Sequence, residues 1–161
     1  MIAVIADTHM PKGRRQLPPR CLQLIGQAEA VIHAGDFFAG GVLAELRALC
    51  PVVHAVHGNV DEPALRERLP ETLELAVGGH ALALVHDAGP ARGRLARMRR
   101  RFPRAEAVVF GHSHLPLHEQ EEGFQIFNPG SPTDRRRQPR HTMGSADVGP
   151  AGVEFALVEL D

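Results

Sequence analysis

The sequence predicts an α/β protein folded as a four-layer αββα sandwich, two mixed β-sheets packed face to face with helices outside. Three observations predict it. Short β-branched apolar runs recur at Ile2–Ala6, Ala30–Ile32, Val52–Val56, Ala81–Val85 and Ala107–Phe110, the pattern of buried strands. Segments with helical spacing separate the first three runs, giving a βαβαβ beginning. The second half turns β-rich, and a sheet of each kind must bury one face against the other.

Each element has its own warrant. Cys21, Leu22, Ile25 and Ala28 form one helical stripe, opened by Pro18 and Pro19, whose fixed φ suits a first turn. Val42, Leu43, Leu46 and Leu49 form the next. Leu73, Leu75 and Val77 alternate with polar or small residues before Gly78-Gly79, which reads as a hairpin. Ala91–Phe102 is helical, with Leu95, Met98 and Phe102 on one side. Leu115–Glu119 and Phe124–Phe127 flank an acidic turn at Glu121–Gly123, and Val153–Leu160 is a final alternating strand.

Composition narrows the class. A chain of 161 residues with 43% hydrophobic residues suits one domain spanning residues 1–161. Its formal net charge of -1 provides no global field to hold an anionic polymer or lipid surface. No apolar stretch approaches the roughly 20 residues needed to span a bilayer, and the first apolar run stops at Asp7, unlike a secretory signal. A cytoplasmic location with no membrane partner is expected. Cys21 and Cys50 sit in helical apolar surroundings and read as buried thiols.

The chemistry lies at the ends of the apolar runs. The first ends at Asp7 with His9 two residues on, the second reaches Gly35-Asp36, the third Gly58-Asn59, the fourth His86, and the fifth Gly111-His112-Ser113-His114. Ligands of α/β sheets bind at the carboxyl edge, where loops converge. Glycine before Asp36, Asn59 and His112 permits a sharp exit and close backbone approach. Carboxylate, amide and imidazole donors suit borderline divalent ions rather than Mg²⁺ or Ca²⁺, and the number of donors suggests two ions. Any one of these residues alone would be read as a turn or strand-end residue; the ordered set is the signal.

Asp7-Thr8-His9, Gly35-Asp36, Gly58-Asn59, His86 and Gly111-His112-Ser113-His114 together resemble the signature of the calcineurin-like metallophosphoesterase superfamily. Asn128-Pro129-Gly130-Ser131-Pro132 further resembles its compact YfcE-like phosphodiesterase group, relatives of the Vps29 scaffold. The resemblance implies that Asp7, His9, Asp36 and His114 hold one ion and that Asp36, Asn59, His86 and His112 hold the other, with Asp36 bridging. It implies two divalent ions, Mn²⁺ foremost with Fe²⁺, Co²⁺, Ni²⁺ or Zn²⁺ as alternatives. It also implies a bridging hydroxide that attacks phosphorus, with Asp36, Asn59 and His112 in the catalytic set.

Two positions depart from the pattern. Longer relatives carry histidine after the asparagine, where this chain has Val60, so a proton donor is missing and acidic leaving groups are favoured. Asp87 replaces a common glycine and reads as a turn aspartate ahead of Gly89-Pro90. Arg135, Arg136 and Arg140 lie in a loop that could border the pocket and are candidate phosphate contacts. The arginines of Arg92–Arg104 read as a solvated helix face, and without interleaved aromatic residues nucleic acid is not an expected partner.

The expected substrate is a small phosphodiester or nucleotide-like ester. A phosphomonoesterase, a dinucleoside polyphosphate hydrolase and a Vps29-like interaction scaffold are the rivals. A homo-oligomer stays open.

Overall fold

The computed structural model describes residues Met1–Asp161. Along the chain run β1 (Ile2–Ile5), α1 (Pro19–Gln27), β2 (Ala30–His33), α2 (Gly40–Leu49), β3 (Val53–Ala55), α3 (Pro63–Arg68), β4 (Thr72–Val77), β5 (His80–Val85), α4 (Arg94–Arg101), β6 (Ala107–Val109), β7 (Leu117–Glu121), β8 (Phe124–Asn128), β9 (Thr142–Gly149) and β10 (Gly152–Glu159). They form two five-stranded sheets, ordered β10-β9-β1-β2-β3 and β4-β5-β6-β8-β7.

Both sheets are mixed. In the first, β1, β2 and β3 run parallel, with Val4 beside Ile32 and Ile32 beside His54, while β9 and β10 add antiparallel strands. In the second, β5, β6 and β8 run parallel, and β4 and β7 are antiparallel edges. All the parallel strands therefore present carboxyl ends, which is where the candidate donors stand.

Side-chain alternation explains the layers. Ala3, Ile5 and Val31 point to an outer core with Cys21 and Ile25 of α1, Leu43 and Leu46 of α2, and Leu65 of α3. Ile2, Val4, Ala30 and Ile32 point the other way, against Leu82, Leu84, Val109 and Phe127 of the second sheet. Ala83, Val85, Val108 and Ile126 then face Met98 of α4 and Phe102 just past its end. The sequence-predicted four-layer sandwich is thus the observed fold. Cys21 and Cys50 are buried free thiols. No helix is long and apolar enough to cross a membrane.

Two elements went unread in the sequence. The strand β9 carries Gly144, Ser145, Asp147 and Gly149, which dilute its apolar pattern. Gly144 is required there: a Cβ at this position would run into the Phe127 ring. The helix α3 is only six residues long and buries a single side chain, Leu65, so no 3.6-residue period can develop.

Candidate metal centre

The carboxyl ends of β1, β2, β3, β5 and β6 bring the predicted donors together. Donor atoms of Asp7, His9 and His114 all lie within 4.8 Å of one another, as do those of Asp36, His86 and His112. Asn59 joins the second group: its Oδ1 is 3.1 Å from both His86 Nε2 and His112 Nδ1. His9 Nε2 and His114 Nε2 are 3.1 Å apart. Asp36 lies between the groups, with Oδ2 3.7 Å from His9 Nε2 and 3.2 Å from His86 Nε2.

Strained backbone marks the same residues. Eight non-glycine residues have positive φ, and five of them are Asp7, His9, Asp36, His112 and His114. Such conformations cost about 1–3 kcal/mol each and persist only where surrounding contacts enforce them. Here the enforcing contacts are visible. Buried Asp61 accepts the amides of Asp36, Phe38 and Gly58 at 3.1, 2.8 and 2.7 Å. Ser131 Oγ donates to the Asp7 carbonyl at 2.7 Å, and Asn128 Nδ2 donates to the Gly111 carbonyl at 2.9 Å. Buried His33 bridges two donor loops: its Nδ1 accepts the Gly35 amide and its Nε2 donates to Thr8 Oγ1.

Two glycines open the space for the donors. A Cβ at Gly58 would collide with Asp36 Oδ1, and one at Gly111 would sit 2.9 Å from Asp7 Oδ2. These close approaches explain the Gly-Asn and Gly-His pairings better than turn geometry does.

The imidazoles are oriented by their outer nitrogens. His86 Nδ1 donates to the Ala34 carbonyl at 2.8 Å and His114 Nδ1 to the Asp134 carbonyl at 2.6 Å. Each Nε2 therefore turns inward toward the other donors, the usual arrangement of a metal-binding histidine.

The electrostatics of the cluster suit a bound cation. Burial pushes the Asp7 carboxyl up to about 8, only partly opposed by His86. Its Oδ2 is the one buried side-chain polar atom without a hydrogen-bond partner. Burial also raises Asp36, but the hydrogen bond and charge of His86, the Val60 amide and His9 hold it below the ordinary carboxylate value. Burial opposes protonation of His86, yet Asp36 and Asp7 outweigh it and bring its pKa up to about 9. His9 is lowered by burial, and burial takes His114 down to about 4. Asp7 Oδ1 lies 3.7 Å from His114 Nε2 and 4.0 Å from His9 Nε2 and His86 Nε2, and a buried carboxylate beside these nitrogens with its second oxygen unpartnered fits a divalent cation.

A cavity of about 340 Å³ opens beside this centre, reaching from Asn59, His86 and His112 to Arg66, Glu71 and Arg101. A hollow of about 500 Å³ at the amino end of β6, between Glu106 and Phe155, lacks any such donor set.

The predicted arginines are placed differently from one another. Arg136 is near enough for its charge to act on Asp7, His9 and His114. Arg135 donates to the Gln138 carbonyl and Arg140 lies 3.9 Å from Glu159, and none of the three lines the cavity. Asp87 takes the expected turn role, its Oδ1 accepting the Gly89 amide at 2.7 Å, while its Oδ2 is 4.0 Å from His112 Nε2. Sequence reading missed Asp61, His33 and the cavity arginines. Only Asp61, two residues beyond Asn59, offered any signal.

Residues 1–150 match the calcineurin-like phosphoesterase superfamily domain, and the chain belongs to this family. It is a family of metal-dependent phosphoric ester hydrolases. A probable metallophosphoesterase of Methanothermobacter thermautotrophicus is 33% identical over 83% of this chain and 77% of its own length. Among solved structures, Entamoeba histolytica Vps29 complexed with Zn²⁺ matches with a TM-score of 0.79 at 22% identity, covering 99% of both chains. A novel archaeal phosphodiesterase matches with a TM-score of 0.73 at 18% identity, covering 98% of this chain and 99% of that one.

Proposed function

We propose that this chain is a phosphodiesterase whose centre holds two divalent ions. The observation that carries the reading is Asp36, whose Oδ2 faces His9 Nε2 at 3.7 Å and His86 Nε2 at 3.2 Å, one carboxylate between two histidine groups. Asp7, His9, Asp36 and His114 would hold one ion, and Asp36, Asn59, His86 and His112 the other. The mixed oxygen and imidazole donors suit Mn²⁺ first, with Fe²⁺, Co²⁺, Ni²⁺ or Zn²⁺ as alternatives. Such ions supply the Lewis acidity that activates water and neutralises charge on a phosphoryl group.

The chain's own residues do the positioning. The Ala34 and Asp134 carbonyls fix the inward nitrogens of His86 and His114. Asn59 and His112 line the open cavity, and the His112 side chain is 47% exposed, which puts it within reach of a substrate. Val60 offers no proton to a departing alkoxide, so esters with acidic leaving groups, such as aryl phosphodiesters, are cleaved far better than alkyl esters. The phosphodiesterase and the Zn²⁺ complex among the structural neighbours support this reading.

The test is metal analysis of the purified protein together with hydrolysis of an aryl phosphodiester and an aryl phosphomonoester in added Mn²⁺. Turnover of the diester that is lost in Asp36→Ala is expected. Preferred hydrolysis of the monoester would move the assignment to a phosphomonoesterase. Bound metal without turnover of either ester would favour a Vps29-like scaffold.

A further inference from the structure

We propose that Arg66 and Arg101 form an anion-binding end of the cavity beside the metal centre, so that the substrate is a phosphodiester one of whose arms carries a second anionic group, phosphate or carboxylate. The inference rests on the phosphodiesterase reading and deepens it.

The two arginines come from opposite sides of the sandwich. Arg66 lies in the last turn of α3, which packs on the first sheet, and Arg101 ends α4, which packs on the second. Both line the cavity that also contains Asn59, His86 and His112. A substrate phosphoryl group at those three residues therefore has its arm in a space that both arginines line.

These guanidiniums are free to bind. Three other arginines of α4 are committed to backbone carbonyls, Arg94 to Gly89, Arg97 to Ala88 and Arg99 to Glu121, and Arg100 lies outside the cavity. Arg66 makes no side-chain hydrogen bond or ion pair, and Arg101, whose guanidinium lies 5.3 Å from the centre of the Phe102 ring, has Glu71 at 3.8 Å as its one ion-pair partner. That exposed pair is held weakly and is displaced by a better acceptor. A guanidinium grips phosphate or carboxylate with two parallel hydrogen bonds.

The rest of the lining narrows the arm. Val85 is the single hydrophobic residue of the cavity, and no aromatic ring other than imidazole borders it, so a nucleobase finds no apolar stacking surface. Glu71 and Asp87 also line the space and suit hydroxyl groups rather than a bare hydrocarbon. A hydroxylated arm ending in an anion fits both sets of groups.

The experiment uses Mn²⁺-loaded protein and four 4-nitrophenyl phosphodiesters that share a leaving group. Their other arm is 2-phosphoethyl, 2-carboxyethyl, phenyl or choline. Each anionic arm should raise kcat/KM over the phenyl ester by about tenfold, the scale of one charge-assisted hydrogen bond, mainly through KM. The choline ester should be slowest, and the faster anionic ester tells whether phosphate or carboxylate is the better fit. Arg66→Gln and Arg101→Gln should flatten the series, while Arg68→Gln, on the same helix but outside the cavity, preserves it. A flat series in the wild type, or equal losses on all four esters in both arginine variants, overturns the arginine assignment alone. Absence of turnover on every ester overturns the phosphodiesterase reading and this inference with it.

Discussion

Asp61 Oδ2 accepts the main-chain amide of Asp36 at 3.1 Å, so a buried carboxylate anchors the left-handed backbone from which the central candidate ligand projects. Asp61 also takes the amides of Phe38 and Gly58. Asp61→Ala strands three N–H groups, each worth about 1–3 kcal/mol when left unpaired and buried. The expected outcome is a loss of about 3 kcal/mol in chemical denaturation and a weaker Mn²⁺ affinity by titration. Asp61→Asn, which keeps an acceptor oxygen, should recover part of both.

The pH dependence of stability follows from two buried groups. In chelator-treated protein, Asp7 is pushed up to about 8 and His86 to about 9, so the folded state holds both protons more tightly than the unfolded chain. Asp7 therefore erodes stability as pH rises from 3.8 to about 8, and the His86 contribution, complete below 6.5, is lost on rising through about 9. His33 and His114, lowered to about 3 and about 4 by burial, act with the opposite sign, but their window closes by 6.5. The melting temperature of the chelated protein should fall steadily from about pH 6.5 to about pH 9. Mn²⁺-loaded protein should resist that fall, because cations replace the two protons. Parallel curves for the two forms would contradict the assignment.

Protons and metal compete for the same nitrogens, so catalytic activity should decline in mild acid as metal dissociates. The measurement is a paired pH series of turnover and bound metal. Full turnover at pH 4 with metal retained would rule out imidazole ligation.

Gly58 tests the close packing around Asp36. Gly58→Ala drives a methyl group into Asp36 Oδ1 and should reduce turnover by at least about tenfold with a matching loss of bound metal. Retained metal and turnover would show that the Asp36 side chain can be moved without consequence.

Val60 carries the leaving-group prediction. Its amide donates to Asp36 Oδ1 at 3.0 Å and its side chain is 38% exposed, so a larger residue can be accommodated there. Val60→His should raise alkyl diester hydrolysis by about 10²-fold, the low end of general acid catalysis, with little gain on aryl esters. Equal gains on both would place the effect elsewhere.

The sheets and the donor set were legible because each depends on local pattern. An apolar run that ends in Asp7, Asp36 or His86 places that residue at a carboxyl edge whatever the rest of the chain does. Helix α3 was hidden by its length, and β9 by glycines that serve a distant ring, Phe127. The supporting groups were hidden for the same reason. Nothing near His33 in the sequence indicates that it links Thr8 to Gly35, and the carbonyls of Ala34 and Asp134 carry no sequence signal at all. The arginine loop at Arg135–Arg140 stood out by composition, whereas Arg66 and Arg101 enter the cavity only because two helices from opposite layers end beside it.

The most direct measurement is the metal content of the folded protein and of Asp36→Ala after equilibration with Mn²⁺ and removal of free ion. The wild type should retain two equivalents per chain, and the variant, without the carboxylate shared by both histidine groups, should hold neither ion tightly while remaining folded. A wild type that binds no Mn²⁺ or other divalent ion, or a variant that keeps both equivalents, would contradict the account.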